Sequence, residues 1–543
     1  MDVFLKILLV ILLFFTPFAF AGTEPWSFLV MQGGVAACWI LLLFSRRHLL
    51  FSSLLKPVYY LFGFLLLLCV IQFCFPKNLL MAIPWYPITL MPLYTWEHAA
   101  LFLTYAGVFS LIPQLYVSQD DTKRLLFWVL ISASAVALCA FSLPQGDYIF
   151  QLVGRRGGVG PFLNRNHAAI FFMMGALATL GLFFTQGLKA ARSTFRGQRR
   201  AFYWQQGCLF AVFLGLCFAC IMTRSRGGML SLLCALFCYA FLYAYAIPLK
   251  LKKRLKNVFM TLVVLVLCMG WITTHIKEIN VFAQRDPYAT EATRRMLYRT
   301  SWKVLKDYPA WGIGVGAMPV VITSYVEWPV DSYIERLHND WLEILLGVGY
   351  VGAGFILFGL GWFVWLVLRR LKQLETRKQL LFAAVLSALA GMCVGSFVDF
   401  HFFIPANAFL FFVLLGVLGA PTYAKGHIYT LSLSLPVKVF GVALVVLALY
   451  VPLQKAIAWR GFVFGKGLKR DAQLALYEKS LRHYPSPHYA IRLGNAYYNA
   501  SLRAQTPEER QALRAKAFHT ARIYLQRYPK DKELSFLYMR SRP

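Results

Sequence analysis

Arginines beside long apolar segments are the residues of this sequence best suited to chemistry. The densest group is Thr223-Arg224-Ser225-Arg226-Gly227-Gly228, which separates two apolar runs with almost no loop. A guanidinium presents a planar fork of donors that matches phosphate oxygens, and it keeps its charge in a poorly solvated place. Arg224 and Arg226 therefore predict a site for a phosphate or diphosphate group. The alternative is that both side chains only reach toward lipid headgroups.

Two further segments carry arginines next to apolar runs. A glycine-rich loop contains Arg155 and Arg156 and continues into GPFLNRNH, residues 160–167. A predicted helix farther along carries three more arginines, two of which, at 295 and 299, share a helix face. We expect these segments to contribute substrate contacts through the following residues: Arg156, Arg165, Asn166, Arg294, Arg295 and Arg299.

One histidine is placed to handle a proton. His338 and Asn339 open an apolar run at the end of a long polar loop. A histidine near neutral pH can act as a general base, although a lone histidine is more often a polar cap. We predict a catalytic His338 with Asn339 as a substrate contact, and we expect Asp399 and His401 to form only a polar patch. No D-x-D pair occurs in the sequence, and we expect neither a metal nor a cofactor.

The elements that position these residues are apolar helices. Of the 543 residues, 59% are hydrophobic and 14% are charged, which is typical of a membrane protein. About thirteen segments are long enough to cross roughly 30 Å of hydrocarbon. Their approximate centres are 12, 36, 66, 106, 134, 177, 215, 237, 266, 356, 389, 411 and 443. The predicted fold is all-α and polytopic; the first segment could be a cleaved signal peptide, but we expect it to remain as a span.

Basic residues fall in short clusters within every second loop. The clusters are Arg46/Arg47, Lys123/Arg124, 189–200, 250–256 and 369–378. This alternation places the N-terminus in the cytoplasm and the loop of about 275–342 on the periplasmic side of a bacterial inner membrane. The net charge of +32 therefore belongs to loops, and nucleic-acid binding is not expected. All the arginines described above then lie on the outer side, against the usual charge bias.

The composition changes after the last apolar run. We predict a membrane domain over residues 1–453 and a periplasmic helical domain over 454–543. The segments ALYEKSLRHYP (475–485) and ARIYLQRYP (521–529) both end on Tyr-Pro, as the second helix of a tetratricopeptide-type pair does. A plain helical hairpin is the alternative.

Taken together, the motifs resemble the bacterial O-antigen ligase and polymerase family over roughly residues 1–450. They are TRSRGG (223–228), GPFLNRNHAA (160–169), KDYPAWGIGVG (306–316), HNDWLEILLGVGYVG (338–352) and VDFHFFIPANAFLFFVLLGVLG (398–419). The resemblance implies a metal-independent transferase that takes glycan from an undecaprenyl diphosphate donor. By position, Arg226 and Arg294 match the family's diphosphate-binding arginines and His338 its essential histidine, so the resemblance makes these three the predicted catalytic residues. The family usually has Trp where this chain has Tyr298, so Arg294 and Arg295 both remain candidates.

The function that the resemblance implies is an inverting glycan transfer to a sugar hydroxyl at the periplasmic face. With lipid A-core as acceptor the protein is an O-antigen ligase, and with a growing lipid-linked chain it is a polymerase. Membrane lipid and, through the C-terminal domain, other polysaccharide-assembly proteins are expected partners. A lipid-linked glycan flippase is the alternative from another class, but it would need charges deep within spans and internal repeats.

Overall fold

The computed structural model is a bundle of apolar helices with one small β-ribbon. It describes residues 1–74, 86–142, 159–190, 196–246, 260, 291–326, 334–528 and 531–542. The helices of the first half are α1 (Asp2–Phe18), α2 (Pro25–Ser45), α3 (Lys56–Cys74), α4 (Pro92–Leu115), α5 (Gln119–Ser142), α6 (Arg165–Ala190), α7 (Arg196–Met222) and α8 (Arg226–Ala246). Those of the second half are α9 (Glu291–Asp307), α10 (Met318–Tyr325), α11 (Asp340–Gln373), α12 (Thr376–Gly395), α13 (Pro405–Leu418), α14 (Leu435–Phe464), α15 (Arg470–His483), α16 (Pro487–Leu502), α17 (Pro507–Arg527) and α18 (Lys532–Arg540).

The predicted class, an all-α polytopic membrane protein, is confirmed. Within the described ranges, ten helices are long and apolar enough to cross a membrane. Twelve of the thirteen predicted centres fall inside helices, and the one at 266 lies outside the described residues. Two of those twelve helices are shorter, α1 with 17 residues and α13 with 14. The number of spans therefore stays a prediction.

Four helices form the centre of the bundle. Most of α4 and α12 is buried, α13 is buried throughout, and α6 is almost wholly enclosed. Small residues allow this approach, because a Cβ on Gly175 of α6 would lie 2.5 Å from Ala133 Cβ. A Cβ on Gly391 of α12 would similarly lie 2.9 Å from Ala235 Cβ of α8. A Cβ on Gly228 of α8 would lie 2.3 Å from Ala169 Cβ of α6, and one on Gly395 at the end of α12 would lie 2.7 Å from Ser231 Oγ of α8. The beginnings of α6 and α8 therefore pack against one another and against the end of α12.

Helix α11 is broken near its start, and a loop from the preceding segment fits into the break. Gly349 has φ 66° and ψ −173°, outside the helical region. Across the break, Ile313 N donates to Leu346 O at 2.8 Å and Tyr350 N donates to Pro309 O at 2.8 Å. A Cβ on Gly312, whose φ is +71°, would lie 2.1 Å from Leu346 O, so only glycine fits. The break anchors the polar segment to the first turns of α11.

The two ends of the bundle differ in the loops that they gather. At one end, β1 (His48–Ser52) pairs antiparallel with β2 (Ile428–Ser432), and Lys6 Nζ contacts Asp121 Oδ1 at 2.8 Å. These are loops that the basic clusters assign to the cytoplasm. The opposite end collects the starts of α6, α8, α11 and α13. Which end faces the periplasm stays a prediction.

The C-terminal helices rest on the start of α4. Helix α14 has 30 residues, roughly 45 Å, so it is longer than the hydrocarbon layer and the predicted boundary at 453/454 lies within it. Glu97 of α4 accepts a hydrogen bond from Tyr484 and forms an ion pair with Lys455 at 2.9 Å. Helix α15 packs against α14, and α17 packs against α16. The two Tyr-Pro segments thus end α15 and α17, each the second helix of a packed pair; the tetratricopeptide assignment stays a prediction.

Candidate functional site

The loop between α12 and α13 brings the predicted site segments together. Arg294 of α9 donates from Nη1 to Val398 O at 3.0 Å. Gly227, next to Arg226, packs on the other side of the same residue, since a Cβ there would lie 2.7 Å from Val398 Cγ2. The following residue, Asp399, contacts both α6 and His338. Two adjacent loop residues therefore join four segments that are distant in sequence.

Asp399 is the buried centre of this cluster. Its Oδ1 accepts from His338 Nδ1 at 2.9 Å, and its Oδ2 accepts from Asn166 Nδ2 at 2.6 Å. The backbone N of Phe400 also donates to Oδ1 at 2.9 Å. Burial alone would raise the pKa of Asp399, but the histidines beside it hold that pKa well below its usual value. The carboxylate is therefore ionised.

An ionised acceptor fixes the tautomer of His338. Because Asp399 can only accept, the proton of the neutral imidazole is on Nδ1, and the lone pair is on Nε2. The His338 side chain is 13% exposed, so substrate can approach it. Nε2 thus carries the lone pair that the predicted general base needs.

The backbone of His338 is held in an unfavourable conformation. Its φ is 55°, and only four described non-glycine residues have positive φ, of which Arg224 is another. Such a conformation costs roughly 1–2 kcal/mol and is found preferentially at functional sites. Tyr298 OH donates to His338 O at 3.1 Å, and Asn339 caps α11 by accepting from Leu342 N at 3.0 Å. Tyr298, which stands where the family usually has Trp, thus connects α9 to His338.

Further bonds fix the loop to the start of α11. Asp340 Oδ2 accepts from the backbone N of His401 at 2.7 Å and of Phe402 at 2.9 Å. Arg336 Nη1 contacts the buried Glu343 Oε1 at 2.7 Å. Burial lowers the pKa of His401 to about 3, so this histidine is neutral near pH 7. The segment with His338 and the loop with Asp399 therefore form one unit.

The 223–226 turn is held by its two hydroxyl side chains. Buried Ser225 caps α8 by accepting from Gly228 N at 3.0 Å, and buried Thr223 donates to Cys220 O at 2.7 Å. Arg226 is exposed, and its guanidinium forms no hydrogen bond or ion pair within the described part of the chain. All the donors of this guanidinium can therefore bind an incoming anion.

Arg294 is engaged on one side only. While its Nη1 holds Val398 O, its buried Nε has no hydrogen-bond partner among the described residues. A buried donor without a partner is costly, and a phosphate oxygen would supply one. By contrast, Arg295 and Arg299 are exposed. The geometry thus favours Arg294 over Arg295 as the phosphate ligand.

The remaining predicted residues have other surroundings. Arg165 is the first residue of α6 and is half-buried, and Arg155 and Arg156 lie outside the described residues. Asn166 and Asn339 are committed to Asp399 and to the α11 cap, so their contact with substrate stays a prediction. No group of three or more His, Cys, Asp or Glu able to hold a metal ion occurs among the described residues.

Sequence reasoning missed Asp399. We expected it to form only a polar patch with His401, whereas the structure places it against His338. The available signal was the charge alternation, which assigns the α12–α13 loop to the same side as His338.

A comparison of two neighbouring arginines tests the phosphate site. Arg294→Lys removes the Nε donor and the planar fork, so binding of undecaprenyl diphosphate should weaken by roughly tenfold or more. Arg295→Lys should weaken it much less, because that side chain points to solvent. Binding is measured with purified variants in detergent and a radiolabelled lipid diphosphate. A larger loss at Arg295 than at Arg294 would contradict the geometry.

One comparison with known proteins identifies the region that holds most of these residues. A family model described as O-antigen ligase matches residues 209–357, a segment that includes Arg226, Arg294 and His338. No curated protein sequence matches the chain significantly. Asn166 and Asp399 lie outside the matched segment, and their place in the site comes from the structure alone. Residues 209–357 of this membrane protein thus match the O-antigen ligase family, which the sequence motifs had indicated.

Proposed function

We propose that this glycosyltransferase-type enzyme moves a glycan from an undecaprenyl diphosphate carrier onto a sugar hydroxyl of lipid A-core. The observation that carries the proposal is the His338–Asp399 pair at 2.9 Å. Its loop neighbour Val398 contacts Arg294 and Gly227, the residue next to Arg226. This loop therefore lies beside a candidate base and a candidate anion site, the two groups that such a transfer needs. The family match at residues 209–357 supports the same reaction class.

The donor binds through its diphosphate. Arg226 and Arg294 contact the phosphate oxygens, and Arg224 adds charge from the same turn. When the bond between sugar C1 and the diphosphate oxygen breaks, negative charge grows on the leaving group. Fixed guanidinium groups stabilise that charge more in the transition state than in the ground state. The arginines thereby supply the electrophilic assistance, and the proposed reaction uses no metal.

The acceptor reacts from the other face of the sugar. Its hydroxyl oxygen forms a new bond to C1 while His338 Nε2 takes the hydroxyl proton. Asp399 stabilises the resulting imidazolium through Nδ1. Undecaprenyl diphosphate leaves with the electron pair of the broken bond, and His338 later gives its proton to solvent. A single displacement of this kind inverts the configuration at C1.

The acceptor decides between ligase and polymerase, and a deletion strain tests it. For a ligase, the strain should display lipid A-core without any O-chain, while polymerised chains accumulate on the lipid carrier. Surface polysaccharide is analysed by gel electrophoresis and mass spectrometry after complementation with wild-type or His338→Ala protein. Core capped by a single repeat unit would show a polymerase instead, and normal O-chains would contradict the proposal.

Donor binding and transfer should separate in two variants. His338→Ala removes the base, so the transfer rate should fall by a hundredfold or more, while the purified protein still binds radiolabelled lipid diphosphate glycan. Arg226→Lys should weaken donor binding as well as transfer, because an ammonium group lacks the bidentate fork.

Arg200→Lys is the matched control for the arginine variant. Arg200 is exposed near the start of α7, roughly 30 Å from the 223–226 turn along the helix, so binding and transfer should stay at wild-type levels. Loss of donor binding in His338→Ala would mean that His338 binds the diphosphate. Full transfer by Arg226→Lys would mean that Arg226 does not bind the diphosphate.

A further inference from the structure

A second histidine faces the Asp399 carboxylate and has no part in the reaction described above. The side chain of His167, in the first turn of α6, is 5% exposed, and its Nε2 lies 3.9 Å from Asp399 Oδ1. That distance is longer than a hydrogen bond, and within the described residues this buried nitrogen has no hydrogen-bond partner. The ring is fixed edge-to-face on Phe400, with centroids 4.7 Å apart, and on His401 at 5.5 Å. A buried polar atom aimed at a carboxylate requires an explanation.

The start of α6 aligns two side chains with the same carboxylate. Asn166 donates to Asp399 Oδ2, while His167 points to the Oδ1 atom that also accepts from His338. The backbone of this turn is fixed, because Asn407 Nδ2 donates to His167 O at 3.0 Å. A shift of about 1 Å would bring His167 Nε2 into hydrogen-bond range of Oδ1. His167 Nε2 thus faces an oxygen that already accepts from His338 Nδ1 and from the backbone N of Phe400.

We propose that His167 is a positioning residue that shares the Asp399 carboxylate with His338 and so limits how strongly that carboxylate holds a protonated His338. The proposal rests on the proposed function, in which His338 must be unprotonated to accept a proton. A buried carboxylate that served His338 alone would stabilise the imidazolium form more strongly. A second donor on Oδ1 reduces the negative charge that His338 experiences, and more of the base is then ready at neutral pH.

Other charged and titratable groups also face the pair and are unchanged in the test. Beyond His167 itself, they come from α9, from the segment before α11, from α11 and from the α12–α13 loop. They are Arg294, Tyr298, Arg336, Asp340, Glu343 and His401.

The test measures the protonation of His338 without requiring transfer. Diethyl pyrocarbonate modifies neutral imidazole, so its reaction with His338 is followed against pH by mass spectrometry of the purified full-length protein. His167→Phe keeps the ring but removes the donor, and the midpoint of modification should move to higher pH by roughly half a unit or more. His167→Gln, whose amide nitrogen replaces Nε2, should restore most of the wild-type midpoint. The acid limb of the transfer rate should move in the same direction.

His483→Phe is the control, because His483 lies at the end of α15 in the C-terminal helices and its Nδ1 contacts Gln454 Oε1 at 2.8 Å. In this variant, the pH midpoint of His338 modification should equal that of the wild type. If His167→Phe does not fold, His167→Asn, whose shorter amide cannot reach Asp399, should give the same shift. An unchanged midpoint in these variants, or a shift equal in His167→Phe and His167→Gln, would overturn the proposal. If the wild-type protein transfers no glycan but the midpoint still moves in His167→Phe, the proposed function is rejected and the role of His167 is kept.

Discussion

A buried carboxylate is the constraint on which this site depends. Removing a charge from water costs several kcal/mol unless hydrogen bonds replace the lost solvation. Asp399 receives them from His338, Asn166 and its neighbour Phe400. The donors come from three places in the chain, so the charge is tolerated only when α6, the segment before α11 and the α12–α13 loop are assembled. The same bonds that solvate the carboxylate orient the imidazole.

The surrounding helices keep that assembly rigid. The break at Gly349 lets the 308–317 loop form backbone hydrogen bonds with α11, close to the first turns that follow His338. Asp340 binds the α12–α13 loop through two backbone nitrogens. Tyr528, at the end of α17, packs against the apolar cluster that contains Leu297 and Tyr308. The C-terminal helices therefore support the segment that carries Arg294.

The helices and the grouping of the motifs could be predicted because both follow from local sequence. Apolar runs set the spans, and basic clusters sorted the loops into two sets, which lie at opposite ends of the bundle where the structure describes them. The partner of His338 could not be predicted, since Asp399 is 61 residues away and only packing brings them together. The choice between Arg294 and Arg295 depends on the rotation of α9 about its axis, which the Tyr298 contact fixes. Asn166 looked like a free donor because its acceptor lies 233 residues away.

The central claim is that Asp399 acts through His338, and a double-mutant cycle on glycan transfer tests it most directly. Transfer is measured with purified wild type, Asp399→Asn, His338→Ala and the double variant, with donor binding recorded in parallel. Because an amide does not select the Nδ1–H tautomer or stabilise the imidazolium, Asp399→Asn should slow transfer by roughly 10²- to 10⁴-fold and leave donor binding intact. Once His338 is alanine, the second substitution should cost little more. Two losses that simply multiply, or an Asp399→Asn variant as fast as the wild type, would contradict the account.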